Sequence, residues 1–488
     1  MLKPTSSEIQ SYAADYSMIP LCREIYADVT TPIALLRKIA QVSNRYCLLE
    51  SVEGGERWGR YSFLGYDPLV HIVCKDHVVT TEYADGRRES VTTDQPNDIL
   101  RALMAQYKAP RIEGFPPFTG GLVGYYAYRM IGYAEPTLHL RSSDVDDFDL
   151  MLFDKVIAYD HLSQKINVIV NMPTDNVLEN YGTARAEIEK MIRLIREPMQ
   201  LPIAHKHCKP QFTCNVTKEE YCDIVNKTKQ HIVDGDIFQA VLSRRFETPY
   251  TDSLLDAYRV LRTTNPSPYM VYLHRDDIEL MSTSPETLVR LRNGRLSTFP
   301  VAGSRPRGAD KEQDLALEKD LLSDEKELAE HNMLVDLGRN DIGKLSQFGS
   351  VEVTDYQMIH RYSRIMHITS VVEGNILPKF DAFDAISTLL PAGTLSGAPK
   401  IRACEIIEEL EPCARGVYGG ALGYVDFTGN MDTCIAIRMA VKKNDRVTIQ
   451  AGGGIVADSI PENEYMESQN KAGAVIAAIE RAAEVDAD

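Results

Sequence analysis

Between residues 20 and 170 short apolar runs alternate with turn signals, and no other feature limits the fold of this chain so strongly. YCLLESV, YSFLGY, LVHIVC, GGLVGYYAY, LMLFDKVIAYD and KINVIVNMP read as mainly antiparallel strands. Residues 175–197 read as a helix that is basic toward its end. The stretch 198–211 is Pro-rich and aperiodic, which makes it the best linker between an N-terminal region, 20–197, and a C-terminal region, 212–483. In the latter, MVYLH, LMSTS, RVTIQAGG and GALGYVDF read as strands mixed with longer helices. A chain of 488 residues exceeds one ordinary hydrophobic core, so the pattern predicts an α+β fold with two substructures.

Composition narrows the partners. A net charge of -17 argues against nucleic acid and against an anionic membrane, and no apolar run reaches membrane-spanning length. Nine cysteines without CxxC spacing predict reduced thiols in a cytoplasmic protein. Cys208, Cys214 and Cys222, with His205 and His207 nearby, fit no standard zinc pattern. The N-terminal MLKPTSSEIQ has neither a signal core nor an Arg-rich presequence.

Chemistry concentrates in AEHNMLVDLGRNDIG, residues 329–343. From Gln313 onward Leu, Glu, Lys and Ala predict one helix without Pro or Gly before Gly338. Glu327, Glu330, Leu334 and Leu337 then share a face. Carboxylates among leucines are either a solvated charge face or a site neutralised by a cation. Pro461 opens a second helix that carries Glu464, Glu467 and Lys471 at helical spacing. Glu330 and Glu467 together would form an open site for a hard cation such as Mg²⁺.

Four ordered motifs carry a resemblance: AEHNMLVDLGRND, PAGTLSGAPK (391–400), GVYGGALGY (416–424) and AGGGIVADS (451–459). Over roughly 215–480 the chain resembles the chorismate-utilising enzymes, and within them the branch that aminates chorismate to anthranilate. The resemblance implies two intimately packed β-rich halves with helices outside and distant segments interleaved. It implies Glu330 and Glu467 as Mg²⁺ ligands, with Glu327 and Glu464 orienting metal-bound water. Arg438, in the strand-like AIRMA, would grip the enolpyruvyl carboxylate; the bland reading is a structural salt bridge. Tyr418 would donate to the same group, Gly452, Gly453 and Gly454 would let backbone approach an anion, and Lys471 adds a local cation. Thr394 would hold the ring carboxylate or hydroxyl. Glu286, in STSPE, is the expected general acid for the departing C4 hydroxyl, and His367 is the other proton-handling candidate.

Two positions separate sibling reactions. Gln239 stands where water-using relatives carry a lysine base, and Ala302 where aminodeoxychorismate synthases often carry a nucleophilic lysine; Ser304 replaces a more usual threonine. Both favour ammonia attack at C2. The resemblance also implies a separate glutamine amidotransferase subunit as ammonia source. Leu49, Glu50 and Ser51, with Pro268, Tyr269 and Met270, resemble a tryptophan feedback site in which Glu50 would pair with the ligand's ammonium. An aminodeoxychorismate synthase and a noncatalytic tryptophan sensor stay open as alternatives.

Overall fold

Two antiparallel sheets, of 13 and 12 strands, organise the chain in a computed structural model that describes residues 2–28, 30–51, 59–198, 209–361 and 365–485. Strands such as Phe148–Phe153 are buried along their whole length, because one face meets helices and the other meets the second sheet. Phe63, Phe153, Val271 and Leu422 belong to the layer between the sheets. Helices Val177–Arg196, Leu254–Thr264 and Pro461–Glu480 cover the outside of the larger sheet. Helices Pro96–Met104, Glu325–Gly343 and Ala382–Leu389 cover the smaller one. The expected α+β class is therefore present as a helix–sheet–sheet–helix sandwich.

The halves of the sequence are not the halves of the fold. Strand Arg45–Glu50 pairs with Tyr269–Arg275 in one sheet, and Gly121–Tyr126 pairs with Ala421–Asp426 in the other. The boundary at 198–211 thus crosses neither core, and its residues 199–208, with His205, His207 and Cys208, lie outside the described residues. The other eight cysteines are free thiols. Among the described residues no helix is long and apolar enough to cross a membrane.

The helix predicted from Gln313 is in fact two, Lys311–Ser323 and Glu325–Gly343. Asp324 breaks the run. Its backbone is extended, and its side chain accepts from the N–H groups of Lys326 and Glu327, so a local cap outcompetes helix continuation. The turn re-aims the second helix, which carries Glu330. Pro461 opens the other acidic helix as expected, running to Glu480.

Candidate active site

Two crossovers between the sheets meet beside a small opening lined by Glu286, Thr394 and Ile435, where the Ile435 N–H donates to the Glu286 carbonyl at 3.0 Å. Strand Ile278–Ser284 belongs to the larger sheet and Thr287–Arg292 to the smaller, so residues 285–286 span the gap. The chain returns between Met431–Ile435 and Met439–Lys443, so residues 436–438 span it the other way. Side chains at a crossover belong to neither sheet ladder and can point into the opening.

Glu286 sits on the first crossover. The Thr394 hydroxyl donates to its Oε1 at 3.0 Å, which joins two segments 108 residues apart. Burial pushes its carboxyl up to about 7; the Thr394 bond and the Lys471 charge pull the other way. A carboxyl poised there can hold a proton at neutral pH and give it up.

Arg438 sits on the second crossover rather than in a strand, which corrects the reading of AIRMA. Its φ is +49°, a left-handed conformation that costs a non-glycine residue on the order of 1 kcal/mol. No carboxylate pairs with its guanidinium among the described residues, so the salt-bridge alternative is not what the fold contains. Desolvation lowers its pKa, opposed by the nearby Tyr418 and Glu467. A strained, partly buried, unpaired guanidinium is a receptor for an anion. The Tyr418 hydroxyl, buried beside it, is pushed up to about 12 and is therefore a donor at any physiological pH.

The acidic helices meet at the same opening. Glu330 remains exposed in the cleft, yet its carboxyl is raised by the surrounding protein and by Glu327, with Glu467 contributing. Glu464 is raised by burial and by Glu467. Lys471 Nζ lies 2.6 Å from Glu467 Oε1 and donates to the Gly452 carbonyl, so it is committed to the framework as well as to the field. Glu327 leans toward Arg305, at 3.6 Å. Among the described residues no three His, Cys, Asp or Glu side chains gather as a metal cluster. What fits a hard cation is the two-carboxylate set Glu330 and Glu467: oxygen donors in an open cleft, under mutual repulsion that a divalent ion would relieve.

Gly452, Gly453 and Gly454 lie inside strand Arg446–Ile455, not in a loop after it. A Cβ at Gly452 would stand 2.0 Å from the Leu242 carbonyl, at Gly453 3.0 Å from Glu464 Oε2, and at Gly454 2.3 Å from Gln239 Nε2. The run is glycine because a neighbouring strand, the acidic helix and Gln239 all crowd it. Gly452→Ala is expected to cost about 1–3 kcal/mol in chemical denaturation, since the clash is with backbone. Similarly, a Cβ at Gly393 would overlap Leu337, and Lys400 Nζ reaches the buried Asp341 at 3.0 Å. These two contacts lock the AGTLSGAPK segment onto the Glu330 helix.

His367 joins the cleft from strand Ile365–Asn375, opposite Ser304. Its Nδ1 donates 3.1 Å to the Gly303 carbonyl in the neutral tautomer, and burial together with Arg438 lowers its pKa. Ala302, buried, lies two residues before Ser304. Sequence reasoning overlooked Arg244. This fully buried arginine lies 3.9 Å over the Tyr465 ring and bonds Ser468 and Gln469, pinning the helix that carries Glu464 and Glu467. Its immediate neighbours Ser243 and Arg245, both polar, gave no signal of that.

A family model described as chorismate binding enzyme matches residues 47–477. The chain belongs to the chorismate-binding enzyme family. Anthranilate synthase component 1 of Acetivibrio thermocellus is 45% identical, covering 99% of this chain and all of that protein. The same component of Pseudomonas aeruginosa is 44% identical over 97% of this chain and 98% of that one. The crystal structure of anthranilate synthase component I from Streptococcus pneumoniae TIGR4 superposes with a TM-score of 0.78 at 36% identity, covering 93% and 99% of the two chains. The menaquinone-specific isochorismate synthase of Escherichia coli, at 18% identity and TM-score 0.69, covers 97% of this chain and 98% of its own and shares the fold.

A separate cavity of this chorismate-binding enzyme lies elsewhere. About 330 Å³ opens between the sheets, lined by Leu49, Glu50, Ser51, Pro268, Tyr269 and Met270 among others. The strand register places Glu50 against Met270 and Leu49 against Val271, so two motifs more than 200 residues apart share one wall. The Ser51 hydroxyl is buried there without a partner among the described residues. Glu50 departs from expectation. Arg262 grips its carboxylate through two bonds of 3.0 Å, and Tyr258 and Ser62 donate to it as well. Its charge is therefore answered from within the protein rather than held for a ligand's ammonium.

Proposed function

We infer that this enzyme converts chorismate and ammonia to anthranilate, pyruvate and water, the first committed step of tryptophan biosynthesis. The observation that carries the reading is the Glu286–Thr394 pair opening onto the same cleft as the unpaired Arg438. The names of its relatives, anthranilate synthase component 1, support it.

In this reading Arg438 and Tyr418 hold the enolpyruvyl carboxylate. Magnesium bound by Glu330 and Glu467 would anchor the ring carboxylate and polarise it. Ammonia forms a bond to C2 while the ring double bonds shift and the C4–O bond breaks. Glu286 gives its proton to the departing oxygen, which leaves as water, and the ring becomes aminodeoxyisochorismate. His367, neutral, then accepts the C2 proton as the ether C–O bond breaks. Pyruvate leaves, having taken up a proton at its methylene carbon, and the ring is aromatic. Ala302 offers no amine to attack C2, and the Gln239 amide cannot deprotonate water; both disfavour the sibling reactions. Glu286, Glu330, Glu467 and His367 are all present, which disfavours a pure sensor. A glutamine amidotransferase subunit supplies ammonia in the cell, which on this account is the cytoplasm.

Tryptophan is the proposed ligand of the cavity between the sheets. Its walls lead directly to the chemistry: strand Ile278–Ser284 pairs with Tyr269–Arg275 and runs into Glu286, while Met431–Ile435 runs into Arg438. A ligand that wedges the sheets shifts both crossovers and favours a low-affinity arrangement. Ser51→Leu is expected to raise the tryptophan concentration for half-inhibition by about 10- to 100-fold with uninhibited turnover unchanged. Normal inhibition in that variant would remove the cavity from the account. For the reaction itself, anthranilate fluorescence should appear with chorismate, ammonium and magnesium and stop on chelation. No fluorescence under those conditions would contradict the inference.

A further inference from the structure

Behind the cleft lies an ion pair that the reaction scheme does not use. Arg415 and Glu411 are 5% and 3% exposed. Arg415 Nε donates to Glu411 Oε2 at 3.0 Å, and Nη2 donates to Oε1 at 2.6 Å. As a device for stability this is a poor choice. Desolvating two charges generally cancels their attraction, and a well-packed apolar pair would serve the fold equally well.

The remaining contacts indicate what the pair does instead. Arg415 Nη1 donates to the Leu395 carbonyl at 2.5 Å, the residue next to Thr394. Nη2 also donates to the Val241 carbonyl at 2.5 Å, two residues from Gln239. The guanidinium lies 4.7 Å from the Tyr128 ring and 5.7 Å from the Tyr418 ring. Glu411 Oε1 accepts from the N–H and hydroxyl of Ser243, whose hydroxyl accepts from Gln450, two residues before Gly452. One buried pair therefore touches the Leu395, Val241–Ser243 and Tyr418 segments directly and reaches Gln450 through Ser243. A rigid planar fork with several donors can do this; a flexible ammonium cannot.

We propose that Glu411–Arg415 is the positioning element of the substrate site, fixing Thr394 and Tyr418 in register with each other across the cleft. Arg415 does not touch substrate. It holds the Leu395 carbonyl so that the Thr394 hydroxyl meets Glu286, and it backs Tyr418 so that its hydroxyl stands beside Arg438. The positive charge behind Tyr418 also opposes the rise in its pKa and strengthens it as a donor. The proposal rests on the reading of Thr394 and Tyr418 as substrate donors.

The test uses the full chain with three sets of exchanges, the first of them also made in the background of the third. Arg415→Lys keeps the charge and loses the fork. Glu411→Leu with Arg415→Met replaces the pair by apolar side chains. Thr394→Val with Tyr418→Phe removes the two donors through which the pair is held to act. Unfolding and tryptophan binding report on the fold. Steady-state rates and the calorimetric affinity for chorismate report on the site. Arg415→Lys should fold, bind tryptophan normally, and lose about 10- to 100-fold in kcat/KM, a range set by the cost of small misplacements. In the Thr394→Val/Tyr418→Phe background the same exchange should cost less than about threefold, because its targets are gone. The apolar pair should behave like Arg415→Lys. If it does not fold, Arg415→Lys alone decides. Folded variants with wild-type kcat/KM and chorismate affinity, or equal losses in both backgrounds, overturn the proposal. Chorismate affinity is read without turnover, so a failure of the anthranilate reaction and a failure of positioning show up separately.

Discussion

Glu286→Gln is expected to lower kcat by about 10²–10⁴-fold, the usual worth of a positioned general acid. The same exchange should stabilise the folded protein. The Glu286 carboxyl stands at about 7, above its ordinary 4.5, so between those values the folded state binds more protons than the unfolded one. Stability contributed by this position therefore falls as pH rises through that window, and the whole cost is present above about 7. The rise converts to roughly 3 kcal/mol at most, and partial access to solvent reduces this to on the order of 2 kcal/mol. Denaturant unfolding at pH 8 should show the gain, and unfolding at pH 4 should not. A variant that loses turnover without any pH-dependent gain would mean that burial does not hold this acid protonated. In the wild type, turnover at constant free ammonia should decline as pH rises through about 7, where Glu286 loses its proton.

Arg438 carries the second large effect. Arg438→Met should reduce kcat/KM for chorismate by about 10²–10³-fold, because a partly buried carboxylate would lose its charged partner. Arg438→Lys should recover little of this, since a point charge does not reproduce a planar fork. Arg438→Gly should be equally inactive yet more stable by about 1 kcal/mol, through relief of the left-handed backbone. Inactivity joined to higher stability is the signature of strain kept for binding. If Arg438→Gly is destabilised instead, the conformation serves the fold and the anion-binding role is misassigned.

Local signals in the sequence carried much of this site. Strand-length apolar runs and helical spacing gave the elements, and the family resemblance singled out Glu286, Thr394, Glu330 and Glu467, which the fold brings close together. Features that depend on distant partners were not legible. Strand Arg45–Glu50 is completed by Tyr269–Arg275, and no property of either segment alone names the other. The three glycines at 452–454 look like an anion loop until the neighbouring strand and Gln239 are seen to need their space. Asp324 reads as one more polar helix residue, although its side chain ends one helix and caps the next. Glu50 reads as an available charge because Arg262, which neutralises it, is 212 residues away.

The reaction is tested most directly by the fate of labelled nitrogen. Purified chain would be given chorismate, magnesium and nitrogen-15-labelled ammonium at mildly alkaline pH without glutamine, and the products resolved by mass spectrometry. The account predicts anthranilate carrying the label, with one pyruvate released for each. An unlabelled hydroxylated product would show water as the nucleophile, and labelled aminodeoxychorismate with no pyruvate would place the amine at C4; either result would contradict it.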